Sequence, residues 1–262
     1  MSLSEPRAKG NQEHAKRVHL ALYAGLSGLS YAWRLKGWKS LEFDIQIVGV
    51  SGVFRWSSAN GVSTREDRET PCACLYFRST VAFLEFVDHG RLTFAFKGNP
   101  IRWGSLLRFL IGAARLQMLM RGGDIGALSS RGMLIDHGQA SLWTAIKGLA
   151  VSDHSHKAQL SLYVGKSAGF FLEGSPRQPL VGLKVRESGN LEVLDSNGLE
   201  GASLSAKIVF KDPGTLYDAV HHISPNLQMV GEGNVEVSGL VPLADLVGAC
   251  LDEMDYLLNP VA

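Results

Sequence analysis

Gly165-Lys-Ser-Ala-Gly169 has the spacing of the Gly-x-Ser-x-Gly turn that lifts a nucleophilic serine off the end of a strand. Asp212 and His221 or His222 follow in the chain order of one hydrolase triad. Such a turn has to open a helix, however, and Phe170-Phe171-Leu172 continues the chain as an apolar strand. Ser167 is therefore expected inside a hairpin, and no catalytic residue is assigned. Gly165-Lys166-Ser167 also resembles the end of a phosphate-binding loop, but the glycine that such a loop needs upstream is missing.

Asp153-His-Ser-His156 and Asp136-His137 gather metal-capable side chains in one stretch. On a strand, His-x-His would point both rings to one face. Spacing fixes no third ligand, so the stretch is read as a solvated linker and neither a metal nor a cofactor is expected. His221 and His222 are neighbours in a helical stretch, where adjacent residues do not share a face. Cys72, Cys74 and Cys250 are odd in number, and Cys-Ala-Cys fits neither a redox pair nor a zinc knuckle. Reduced thiols and a cytoplasmic location are the expectation.

The 262 residues include 26 basic and 25 acidic ones. No sustained Lys/Arg block appears, so no nucleic-acid partner is expected. The densest charged run, Arg65-Glu-Asp-Arg-Glu69, alternates in sign and reads as a solvated loop. Apolar residues make up 45%, with 29 glycines beside them, while charged residues make up only 19%. This surplus excludes disorder as the dominant state and suggests more apolar lining than an ordinary core needs. The first residues lack the apolar region of a signal peptide. The uncharged stretch Val18–Trp33 is too short to span a bilayer. Its basic flanks (Lys16-Arg17, and Arg34, Lys36, Lys39) would suit a transient membrane contact. Burial against a sheet is the simpler expectation for this helix.

The chain carries signs of an internal repeat. Gly98-Asn-x4-Gly104 recurs as Gly233-Asn-x4-Gly239, and Leu110-Ile-Gly-Ala-Ala114 is echoed by Leu246-Val-Gly-Ala-Cys250. Residues 41–54 align without gaps on 158–171, which places Phe43, Ile45 and Ile47 on Leu160, Leu162 and Val164. Phe77 and Phe210 close equivalent strands. Two α+β units, 13–123 and 138–262, are the expected organisation, each with a curved mixed or antiparallel sheet covered by helices. Each unit begins with a helix, Ala15–Leu35 in the first and about Ala140–Ala150 in the second. The first unit is the degenerate one, with a polar loop from Ser57 to Thr70 where the second has a hairpin turning at Ser188-Gly189-Asn190. Arg121–Gly126 reads as the linker. Asp212 and Pro213 start a helix. A closing helix carries Leu243, Leu246, Val247, Cys250, Leu251, Met254 and Leu258 on one stripe.

The second unit resembles the sterol-binding domain family of sterol carrier protein 2. The residues that carry the resemblance are Phe170-Phe171, the strand Ala202–Phe210, Asp212-Pro213, Ser224-Pro225-Asn226, Met229, the frame Gly231–Gly239 and the closing helix. Over about 100 residues, Gly233, Val235, Val237 and Gly239 fill the family's strand frame; the first unit fits more loosely, over about 80. The resemblance implies an apolar tunnel for a sterol, fatty acyl chain or other lipid, with no catalytic group. Candidate lining residues are Phe170, Leu216, Val220, Leu227, Met229, Leu246, Cys250 and Met254. In the first unit, Phe94 and Phe96 join an aromatic set with Phe83, Phe86, Leu92, Trp103 and Leu107.

Binding or transfer of a hydrophobic small molecule is thus the expected function. The alternative is an accessory or scaffold role in which the apolar surfaces pack repeats or bind partners without a ligand. A monomer with pseudo-two-fold repeats and a homodimer both fit.

Overall fold

The computed structural model describes residues 14–35, 37–65, 72–89, 91–98, 103–120, 131–152, 154–174, 178–221 and 226–258. The chain divides into two compact units, residues 1–122 and 123–262.

The first unit opens with helix α1, residues 14–35, whose segment Ala21–Gly25 widens into a π-helical turn. Strands β1 (Glu42–Ile47), β2 (Phe54–Ser57), β3 (Gly61–Thr64), β4 (Cys74–Phe77) and β5 (Phe94–Lys97) form one sheet in the order β3-β2-β1-β4-β5. The β1–β4 pair is parallel and the other pairs are antiparallel. Helices α2 (Thr80–His89) and α3 (Trp103–Met120) complete the unit. Strand alternation puts Phe43, Ile45, Ile47, Phe54, Trp56, Leu75 and Phe77 on one face, all buried with Val18, Leu22, Leu26 and Trp33 of α1. The Trp56 indole N–H donates to the Leu26 carbonyl at 2.8 Å, and the Ser30 hydroxyl lies 2.9 and 3.0 Å from the carbonyls of Ser57 and Ser58. The small residues of α1 thus let the helix settle on the β2–β3 hairpin. The apolar side chains that could have touched a membrane are spent on the core.

The second unit begins with α4 (Arg131–Val151), followed by a single helical turn at Lys157–Leu160. Strands β6 (Ser167–Leu172), β7 (Gln178–Val185), β8 (Leu191–Leu194), β9 (Ala206–Phe210) and β10 (Val235–Gly239) form the sheet β10-β9-β6-β7-β8. Helix α5 (Ser196–Glu200) lies between β8 and β9; α6 (Pro213–Val220) and α7 (Asn226–Gly231) follow β9, and α8 (Val241–Leu258) closes the chain. The β6–β9 pair is parallel, with antiparallel neighbours. Both sheets therefore have one connectivity: β6 takes the place of β1, β7 of β2, β8 of β3, β9 of β4 and β10 of β5.

The registers correct the expected internal alignment. Ile47 lies opposite Phe77, and Leu172 lies opposite Phe210, so Ile47 answers to Leu172 rather than Val164 and the match of 41–54 to 158–171 is out of register. Leu160, Leu162 and Val164 are in helical turns and a bend, not a strand, with Leu160 buried and the other two exposed. The glycine frame shifts as well. Phe94 pairs with Phe77 as Val235 pairs with Phe210, which makes Gly98 the counterpart of Gly239. Both are strand-end glycines with φ near +90° (92° and 84°), turned against a backbone carbonyl, that of Cys72 in one unit and Ser205 in the other.

Two further expectations change. The first unit does have a hairpin, β2–β3, turning through Ser58-Ala59-Asn60; its strands are only four residues long, and the face away from Phe54 and Trp56 carries Arg55, Ser57, Gly61 and Ser63. The second unit's extra length goes into an eight-residue β7 and into α5. Helix α4 begins at Arg131, so Asp136-His137 lie within a helix and not in a linker. The Asp212 carboxylate accepts from the Thr215 amide at 2.9 Å and caps α6 as expected. In the second unit's hairpin, Ser188 and Gly189 both take positive φ, 58° and 74°, the mirror-image turn that matches strand twist. The Arg121–Gly126 linker, Glu66–Glu69, Asp153, His222 and Ser224-Pro225 lie outside the described residues.

The outer sheet faces are solved differently. The cross-strand pair Asp44–Arg55 of the first unit corresponds to Gly169–Gly182 of the second. Buried Asp44 accepts from Arg55 Nε at 3.0 Å, from Arg65 at 2.8 Å and from the Cys72 amide at 3.0 Å. In the second unit, Leu199 of α5 drops into the space over the two glycines, where a Cβ on Gly182 would come within 2.6 Å of its methyl. Among the described residues, no helix is long and apolar enough to cross a membrane. Leu199→Ala should lower stability by about 2–4 kcal/mol, the cost of a buried leucine truncation. Asp44→Ala should cost about 3 kcal/mol, near the low end for a broken buried pair because both guanidinium groups keep some water. Urea unfolding of each variant measures both.

Candidate functional site

Ser167, Asp212 and His221, which stand in hydrolase order along the chain, do not meet. Ser167 starts β6, is buried, and its hydroxyl lies 3.1 Å from the carbonyl of Ser203, which accepts its hydrogen bond. Asp212 lies past the far end of β9, the strand parallel to β6. About seven residues of strand rise, roughly 23 Å, separate the two ends. His221 instead stacks beside Tyr217 and His137, with ring centroids 4.3 and 5.0 Å away. Sequence spacing gives no hint that α4 would bring His137 to α6.

His154 is buried, while His156 is half-buried and shares a 3.1 Å hydrogen bond with Gln159. They sit in the turn before Lys157, so the two rings do not share a strand face. Glu253 of α8 ties this turn down. Its carboxylate accepts from the Ser155 hydroxyl at 2.7 Å and the Ser155 amide at 3.2 Å, and lies 3.8 Å from His156 Nε2. Among the described residues, no group of three His, Cys, Asp or Glu side chains is placed to hold a metal.

The apolar residues proposed as lining divide into two places. In the second unit, Phe170, Leu216, Met229, Cys250 and Met254 are buried, and Val220 and Leu246 are half-buried. Phe170 stacks on Phe210 across the parallel pair at 6.3 Å, and Leu216 lies against Gly138 of α4, leaving no room for a Cβ there. Leu227 is not part of this set: it is 85% exposed on the outer side of α7, while Met229 faces inward. Burial pushes the Cys250 thiol up to about 12, with the Glu253 charge adding to it. Burial likewise raises Cys74 to about 11, reinforced by Asp44.

In the first unit, Phe94 and Phe96 are half-buried on β5 and join a chain of rings: Phe77–Phe94 at 5.8 Å, Phe94–Phe96 at 5.6 Å, Phe96–Trp103 at 5.4 Å. The first unit also has an open cleft of about 260 Å³, lined by Trp33, Trp38, Lys39, Leu41, Arg108, Ile111 and Gly112. Its walls are apolar, and the two side chains that bring charge are both cations. Trp33 and Trp38 meet edge to face at 4.6 Å, and the Trp33 indole donates to the Lys39 carbonyl at 3.0 Å. Gly112 makes this possible: Trp33 occupies the space that any side chain at that turn of α3 would fill.

None of these seven residues was among the ligand-lining candidates read from the sequence, although Trp33 and Lys39 belonged to the stretch considered for a membrane contact. They come from two segments some seventy residues apart, and the one local signal is the run of small residues Gly112-Ala113-Ala114 inside a helix.

Glu253 offers a pH test. Burial opposes its ionisation, but the two Ser155 hydrogen bonds and the charges of His156 and His154 outweigh burial and lower its pKa below the ordinary 4.5. A depressed folded-state pKa means the stabilisation is fully present above about 4.5 and is lost as pH falls through the folded value. Glu253→Gln should therefore flatten the acid limb of the stability–pH curve below about 4.5 and lower stability at pH 7, measured by urea unfolding across pH.

No family model matches the chain, and no curated protein matches it.

Proposed function

We propose that this chain binds a hydrophobic small molecule (a lipid, a sterol or a fatty acyl chain) without catalysing a reaction on it. The observation that carries the reading is the cleft between the end of α1, the Trp38–Leu41 segment and α3. An apolar ligand needs shape and dry surface more than chemistry, at about 25 cal/mol for each Å² withdrawn from water. Two indoles, Leu41 and Ile111 supply that surface. The volume, about 260 Å³, is a little under the roughly 300 Å³ at which pockets for whole drug-sized ligands begin, so the cleft holds an acyl segment or ring and leaves the rest of the molecule outside. Lys39 and Arg108 favour an acidic head at the rim. The resemblance of the second unit to a sterol-binding domain supports the same class of ligand, and there Phe170, Leu216, Met229, Cys250 and Met254 are the residues a tunnel would use.

Titration with a naturally fluorescent polyene fatty acid, read by energy transfer from tryptophan, tests the proposal. Saturable binding is expected, weakened about tenfold by Trp38→Ala, the loss of one anchoring aromatic, and unchanged by Leu227→Ser. Absence of saturable binding to both fatty acid and sterol probes would refute the reading. Binding that ignores Trp38→Ala but disappears in Phe170→Ala would move the site to the second unit.

A further inference from the structure

The described part of α3 presents two apolar faces, and only one has a use inside the protein. Leu106, Phe109 and Gly112 are buried against the sheet and α1. Trp103, Leu107 and Ile111, spaced at i, i+4 and i+8, are 38%, 58% and 51% exposed. They make a stripe about 12 Å long on the outer side of the helix. It begins at the Phe96–Trp103 ring contact and ends at Ile111, which is also a wall of the cleft.

The net charge of +1 conceals a sorting of charge along the sequence of the first unit. Residues 14–41 and 90–122 contain eleven of the 26 basic residues and none of the 25 acidic ones. Among the described residues, Arg17 pairs with Asp88 at 2.6 Å and Arg91 with Glu85 at 2.6 Å. Lys39 and Arg108 stand at the cleft rim, exposed, with no carboxylate in ion-pair range among the described residues.

We propose that this face, α3 with the Trp38–Leu41 segment, docks on the surface of an anionic lipid bilayer. The pattern is that of a helix lying in a membrane interface: a narrow apolar stripe with a tryptophan at one end, flanked by cations. Lysine and arginine suit such a rim, because their stems lie along apolar surface while their charged heads reach phosphates. The charge also argues against a second copy of the chain as the occupant. A two-fold pairing of this face would set Lys39 and Arg108 of one copy against the same cations of the other. The docked orientation would bring the mouth of the cleft to the lipid. This inference goes beyond the ligand-binding reading and does not depend on it.

Co-sedimentation with vesicles of phosphatidylcholine alone, or of phosphatidylcholine mixed with phosphatidylserine, is the test. The whole chain should bind the phosphatidylserine vesicles at least tenfold more tightly, and less so as salt is raised. Leu107→Glu and Ile111→Glu should abolish binding. Arg108→Glu should weaken it about tenfold on the anionic vesicles. Val81→Glu, at a residue 58% exposed on α2 away from this face, should leave binding intact. All four sites are exposed, and circular dichroism confirms that each variant is folded. Three results would overturn the proposal: no binding to phosphatidylserine vesicles, binding that survives Leu107→Glu, or wild-type dimers in light scattering that Leu107→Glu splits. Fatty-acid titration without vesicles reports on the cleft separately, so failure of one proposal does not mimic failure of the other.

Discussion

A five-stranded sheet has two faces, and in each unit of this protein the long helices cover only one. The other face must be made polar or be given a cover of its own, and that constraint shapes much of what distinguishes the two units. At one cross-strand position the first unit places Asp44 opposite Arg55, then adds Arg65 and the Cys72 amide from the crossover to β4. A carboxylate this buried is tolerated because its lone pairs are met by charged donors and a backbone N–H. At the same position the second unit places Gly169 opposite Gly182 and lets Leu199 pack into the hollow. One connectivity thus carries two chemistries, an ion cluster and an apolar plug, each supplied by the segment that crosses from the third strand to the fourth.

The same logic locates the apolar surplus of the composition. Helix α1 uses its apolar side inside the unit, held by Trp56 and Ser30 to the β2–β3 hairpin. Gly112 then admits Trp33 against α3, and Trp38 packs edge to face on Trp33 at the open side. The cleft is the gap left where one helix meets another through a glycine and two indoles. The Trp103–Leu107–Ile111 stripe stays on the outside of the first unit, apolar surface that none of that unit's described elements covers.

The helices and turns were legible where local chemistry decides them. Asp212-Pro213 marks a helix start through a side chain three residues from its partner, and the stripe from Leu243 to Met254 follows from helical period. The glycine and alternation patterns suggested two units, and the two sheets do share one strand order, but the matches themselves pair residues that are not equivalent. Leu160, Leu162 and Val164 alternate as a strand would, yet the strand order is set by pairing with β9, some forty residues on. The β2–β3 hairpin escaped notice because its strands are only four residues long, with Arg, Ser, Gly and Thr interrupting the apolar positions. The cleft was not legible at all: it depends on Gly112 meeting Trp33, a contact across most of the unit.

The chemistry-bearing motifs are absorbed into structure. Ser167 is a buried strand residue, Glu253 clamps the Ser155 turn, and His221 belongs to a ring cluster with His137 and Tyr217. The proposed function rests instead on apolar space edged by cations. Crystals soaked with a fatty acid brominated on its chain test this most directly. The account predicts a bromine anomalous peak between Trp33, Trp38 and Ile111, with the carboxylate near Lys39 or Arg108. A peak only among Phe170, Leu216 and Met254, or no peak at a concentration where binding saturates in solution, would contradict it.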